Sequence, residues 1–222
     1  WNTFVIPDET TNVIIPSTGV THEPTIGDPP TFPVVYTGAE CNNIDIQTGR
    51  TLTMNHANSV VDVYGNWQQN GSVSFTNGIV NILDDNSTMT GFGTKVFYDL
   101  NLNKTANSNT LTLGSDISIS REFLMQSGHV LTGSNKLELG TGTSSLGTLN
   151  YTTGYVVGTM RRWFSGTNSD NATGLFPLGF NDGGYKNRNF FIRFTAAPAT
   201  PGYLDLYFNP VPMGTAGLPL SV

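Results

Sequence analysis

A single cysteine, Cys41, rules out an internal disulfide framework, and its thiol reads as small buried apolar filler rather than a reactive group. Charged side chains make up only 12% of the 222 residues, and no apolar run approaches the length of a membrane-spanning helix. Helical periodicity is missing as well, so the expectation is a nearly all-β chain with no membrane insertion. The three histidines, His22, His56 and His129, lie far apart without a His or Cys at metal-ligand spacing. Missing too are a Gly-x-Ser-x-Gly elbow, a His-Glu-x-x-His pair and a phosphate loop. Ten basic residues against sixteen acidic ones give a net charge of −6. Neither the acidic part up to residue 150 nor the mildly basic remainder carries a dense basic patch, which sets nucleic acid aside.

What is present is repetition. Ile44-Asp45-Ile46, Val61-Asp62-Val63, Val80-Asn81-Ile82, Leu100-Asn101-Leu102, Ile117-Ser118-Ile119 and Leu137-Glu138-Leu139 recur at steps of 17 to 20 residues. Leu52-Thr53-Met54, Val73-Ser74-Phe75, Met89-Thr90-Gly91, Leu111-Thr112-Leu113 and Val130-Leu131-Thr132 interleave with them. Alternate side chains of a strand point to opposite faces, so a triplet turns two apolar residues one way and a polar one the other. One triplet buries too little to hold itself, but stacked copies share a core and a hydrogen-bonded ladder. The spacing therefore predicts a right-handed parallel β-helix with Ile44, Val61, Val80, Leu100, Ile117 and Leu137 in one inward column. An antiparallel sandwich with even strand spacing is the competing reading, and the lack of two-residue hairpin turns counts against it.

Residues 41–150 are assigned to this helix. Residues 1–40 hold six of the twelve prolines and read as an N-terminal cap of extended segments at Asn12–Pro16, Pro24–Ile26 and Phe32–Tyr36. Residues 151–222 change character, with thirteen of the twenty-four aromatic residues. Alternation at Phe190–Phe194 and Tyr203–Phe208 predicts an antiparallel, sandwich-like β region, either a small sandwich or a sheet packed on the end of the helix.

Trp1 with Val5-Ile6-Pro7 and Thr11-Asn12-Val13-Ile14-Ile15-Pro16, then Ala39-Glu40-Cys41-Asn42-Asn43-Ile44-Asp45-Ile46 and Thr48–Thr53, resemble large repetitive surface proteins of gliding and related Bacteroidota. The resemblance continues at Gly154–Arg162 and Phe176-Pro177-Leu178-Gly179. It implies export by the type IX secretion system to the outside or outer surface of a Gram-negative bacterium. The export machinery would be one partner, and surface glycans or other cell-surface proteins the others. Trp1 opens inside what resembles a recurring cap motif, and Gly217–Val222 read as a linker, so a longer exported polypeptide is expected.

Candidate site residues are few. Tyr155, Arg161, Arg162 and Trp163 offer aromatic rings and guanidinium groups that could stack on sugars, or could seal the junction between the two regions. Asp84 and Asp85, followed by Asn86, and the Ser169-Asp170-Asn171 loop are oxygen-rich and could take calcium, although turn chemistry accounts for both. Asp45 and Asp62 are the nearest approach to paired carboxylates, without a basic residue in register. The expected function is a non-catalytic adhesin or stalk without cofactor. A carbohydrate-active β-helix enzyme, lyase or hydrolase, and a structural fibre subunit are the alternatives.

Overall fold

The computed structural model describes residues 7–19, 21–27, 38–166, 174–194, 196 and 198–208. Trp1, the segment Phe32–Tyr36, the Ser169-Asp170-Asn171 loop and the last six residues lie outside the described residues. The described chain is a β-solenoid whose coils contribute strands to three faces in turn, followed by a small antiparallel region.

The first face stacks Val13–Ile15, Ile44–Ile46, Trp67–Gln69, Ser87–Gly91, Thr110–Leu113, the start of His129–Leu139, the start of Val156–Phe164, and Leu178–Asn181, all parallel. The second face begins as a three-stranded sheet of Thr25–Ile26, Thr51–Met54 and Ser72–Phe75. Phe75 meets Phe97 at 5.9 Å, and the face continues through 95–97, 117–119, 137–139 and 159–162. The third face stacks Ala39–Cys41, Val60–Val63, Ile79–Ile82, 99–103, 122–127 and Thr148–Tyr151.

Two kinds of corner join the faces. In Lys95–Asn103 and Ile117–Ser127 a single long strand rounds the corner from second to third face, with a register shift between Phe97 and Asp99. Such a bulge lets a strand bend without ending. At the corner entering the first face, side-chain amides form a ladder. Asn43 Nδ2 donates to Asn12 Oδ1 at 2.7 Å, and Asn43 Oδ1 accepts from the Asn66 backbone N–H at 2.6 Å. Asn66 Oδ1 accepts in turn from the Thr88 N–H at 2.8 Å. The ladder satisfies turn backbone that no strand partner reaches. At Gly91, with φ at 115°, a Cβ would lie 1.9 Å from the Gln69 carbonyl oxygen, so this coil turn requires glycine.

All six residues expected in one column are buried, but they divide among three. Ile44 stacks between Val13 and Trp67 on the first face. Val61, Val80 and Leu100 continue to Phe123 and Leu149 on the third. Ile117 and Leu137 lie between Lys95 and Met160 on the second. The physical reason is that each coil has three inward chords, and not all of them spell apolar–polar–apolar. Trp67-Gln68-Gln69 and Lys95-Val96-Phe97 put a polar residue at an inward position. Gln69 is tolerated there because its Oε1 accepts from the Trp67 indole at 3.3 Å.

At the segment expected as a cap, the described strands Val13–Ile15, Thr25–Ile26 and Ala39–Cys41 stack in register on Ile44, Thr53 and Val61 and so extend the three faces. The parallel stack also passes residue 150. Val130, Val156 and Leu178 follow one another on the first face. Antiparallel pairing enters with Gly202–Leu206 beside Val156–Phe164, Tyr185–Asn187 beside Leu178–Asn181, and Phe190–Phe191 beside Leu175–Phe176.

Candidate functional site

Polar side chains on the outer faces pair along the stacking direction. On the third face Asn81 Nδ2 donates to Asp62 Oδ1 at 2.5 Å, and Asn101 Nδ2 to Asn81 Oδ1 at 3.0 Å. Arg121 Nε donates to Asp99 Oδ1 at 2.7 Å across coils, while Lys136 joins Asp116. Asp45 lies on the first face opposite Gln68, and Asp62 on the third opposite Asn81, so these two carboxylates belong to different sides of the solenoid.

The densest outer cluster forms where the last coil meets the antiparallel strand. Arg161 is flanked by Glu138 on one side and Asp205 on the other. Its Nε and Nη2 donate to the two Asp205 oxygens at 2.6 and 2.7 Å, a bidentate pair. That hydrogen bonding holds the Arg161 guanidinium above, and the Asp205 carboxyl below, their ordinary pKa values. The guanidinium also lies over the Tyr203 ring, 3.6 Å from its centroid. Trp163 meets Tyr203 edge to face at 5.1 Å and donates from Nε1 to Glu138 Oε1 at 2.7 Å.

The four residues offered as a ligand site are therefore separated. Arg161 and Trp163 share this outer surface. Arg162 points into the core, 1% exposed, with Nη1 donating to the Leu175 carbonyl at 2.7 Å and Nε without a partner among the described residues. Burial pushes its pKa down to about 10. Tyr155 stacks on His129 at 4.8 Å on another face. His129 is buried, carries Tyr185 on its ring at 4.1 Å, and accepts the Tyr155 backbone N–H at Nδ1, so its proton sits on Nε2. Burial lowers its pKa.

The oxygen-rich pair Asp84 and Asp85 occupies a turn. Asp84 takes a left-handed φ of 58°, and Asp85 Oδ1 accepts from Thr105 Oγ1 at 3.1 Å and Asn109 Nδ2 at 2.9 Å. Among the described residues no three His, Cys, Asp or Glu side chains gather where they could hold a metal ion. Near this turn Lys104 is buried, donating to the Leu83 carbonyl at 2.8 Å and Ser87 Oγ at 2.7 Å. Burial pushes its amine down to about 8, against the opposing pull of Asp84 and Asp85. Cys41 is buried and its thiol is pushed up to about 12, chiefly by desolvation, which keeps it a neutral thiol.

Sequence reasoning missed Tyr203 and Asp205 as neighbours of Arg161, because the pairing spans more than forty residues. The only signal was their alternation with Leu204 and Leu206. A cleft of about 890 Å³, lined by Val13, Ile15, Ile26, Cys41 and Leu52, opens at the first coil. No helix among the described residues is long and apolar enough to cross a membrane. Comparisons with family models, curated proteins and solved structures gave no match.

Proposed function

We propose that the chain is a non-catalytic, β-helical stalk and adhesive segment of an exported surface protein. One observation carries the reading: outward polar groups on the second and third faces bond from coil to coil. Asp62, Asn81 and Asn101 link successive coils of the third face, and Asp99–Arg121 and Asp116–Lys136 add cross-coil ties. A stack braced in this way resists bending and holds its far end at a fixed distance from its anchor. The resemblance at 39–53 and 154–162 supports type IX export to the outer surface of a Gram-negative bacterium, where surface glycans or other surface proteins are the partners.

The test is antibody labelling of intact and lysed cells, with tagged protein imaged by electron microscopy. Labelling of intact cells, on a rod projecting from the envelope, is expected. Label confined to lysed cells would overturn the reading. So would release of new reducing ends or unsaturated products from a polysaccharide panel, if Asp62→Asn or Asp205→Asn abolished it.

A further inference from the structure

Strand Gly202–Leu206 alternates cleanly, with Leu204 and Leu206 packed against the core and Tyr203, Asp205 and then Tyr207 turned outward. Tyr203 is 49% exposed and Tyr207 64% exposed. Exposed rings gathered beside an ordered guanidinium and a third ring form a patch of the kind that can meet a ligand, unlike a single exposed ring such as Phe92. Their neighbours are fixed in advance. Arg161 is held by two bonds to Asp205, Trp163 by its bond to Glu138, and the Tyr203 ring by its contacts with the Arg161 guanidinium and the Trp163 ring. Groups already ordered lose little entropy when a ligand arrives.

We propose that Arg161, Trp163, Tyr203, Asp205 and Tyr207 form a binding platform for a neutral glycan chain. The inference rests on the adhesive reading above and supplies its ligand class. Tyr207 directly follows the strand that carries Tyr203, so four residues of chain, about 13 Å at strand rise, separate the two rings, a span that suits a short oligosaccharide. The Tyr207 ring and the side of Tyr203 that Arg161 leaves exposed take the C–H faces of pyranoses, while the free lone pairs of Asp205 and the remaining Arg161 N–H groups meet hydroxyls. Charge selects against acidic sugars, because both nearby cations are already tied to carboxylates, Arg161 to Asp205 and Glu138, and Lys136 to Asp116. Size selects against a protein partner. Three partly exposed rings offer far less than the roughly 800 Å² per side of a stable protein interface.

The experiment is isothermal titration calorimetry of the whole chain with cello-, xylo-, manno- and chito-oligosaccharides, and with oligogalacturonate as the acidic control. At least one neutral series is expected to bind. Tyr203→Ala and Tyr207→Ala should each weaken it about tenfold. Phe92→Ala, which removes an exposed ring elsewhere, should leave it unchanged. Circular dichroism melts establish that each variant is folded. Three results overturn the proposal: no neutral series binding at millimolar concentration, folded Tyr203→Ala and Tyr207→Ala variants binding at full strength, or tighter binding of oligogalacturonate. A concentration-dependent dimer lost in Tyr207→Ala would also overturn it, by making the surface a contact between copies. Cell-surface labelling is independent of all these outcomes, so failure here leaves the stalk reading standing.

Discussion

The solenoid and the antiparallel region after it bury their strands by different means. In the solenoid an interior strand has a parallel neighbour on each side, and its inward residues sit in columns. Val80, for example, stacks between Val61 and Leu100. Repetition itself supplies the burial, so individual residues can vary widely, from Trp67 to Gln69 to Lys95. Strand Gly202–Leu206 has one described neighbour, Val156–Phe164. Its apolar residues are only partly buried, and the Arg161–Asp205 bridge and the ring contacts of Tyr203 fix its place. Stacking tolerates an inward polar residue where a neighbouring side chain supplies its hydrogen-bond partner, as at Gln69 and Lys95. A one-sided edge depends on particular pairs.

The sharpest break of this contrast is a buried charge. Leu100→Asp, at a position with no exposure in the middle of a column, should cost about 4 kcal/mol or more, a large share of a domain's usual stability. Leu206→Asp, on the partly buried strand, should cost roughly 1–2 kcal/mol, since the carboxylate can turn toward water. Urea titration followed by circular dichroism measures both. Equal losses would erase the distinction between the two regions.

A second experiment probes how much buried polarity the turns of the solenoid tolerate. The Lys104 amine has a folded pKa of about 8, below its ordinary 10.5, so charging it in place opposes folding. For a base with a lowered folded pKa the cost is complete below pH 8 and disappears as pH rises from about 8 to 10.5. Stability of the wild-type chain should therefore gain ~3 kcal/mol from this residue across that window. Lys104→Met should remove that rise. Its loss of bonds to Leu83 and Ser87 shifts the whole curve without changing the slope. Denaturant midpoints of both proteins at pH 7, 8, 9 and 10 give the comparison, and parallel curves would contradict the assignment.

The smallest effect belongs to the edge. Arg161→Ala should lower global stability by only about 1 kcal/mol, because the bridge is partly exposed. Amide exchange should nevertheless speed up strongly in 202–206, while 79–82 and 99–103 stay protected. Uniform acceleration through the solenoid would mean that the two regions open as one unit.

Much of the solenoid was legible in the sequence because strand alternation and a near-constant step are local properties. Asp62-flanked Val61 and Val63 announce one inward pair, and Leu100 and Leu102 another, without reference to anything distant. The number of faces was not legible. Lys95-Val96-Phe97 and Trp67-Gln68-Gln69 break the apolar pattern, and only their neighbours make those inward positions acceptable. The proline-rich opening segment read as a cap because proline limits pairing, and its proline-free stretches Val13–Ile15, Thr25–Ile26 and Ala39–Cys41 are the parts that stack on the next coil. At the candidate site, Arg161 and Trp163 stood out by composition. Arg162, adjacent in sequence, did not share their surface because strand alternation turns it inward.

By itself the sequence determined that the chain is built of strands, that polar residues alternate with apolar ones, and that copies of a short unit stack, since each follows from side-chain periodicity over a few residues. Tertiary structure alone decided which triplets share a column, that Asp45 and Asp62 lie on different faces, and that Arg161 meets Asp205 and Tyr203. Those outcomes depend on where each corner falls and on the register of strands far apart in the chain. A shift of one residue at a bulge such as Phe97–Asp99 exchanges the inner and outer faces of everything that follows on that strand.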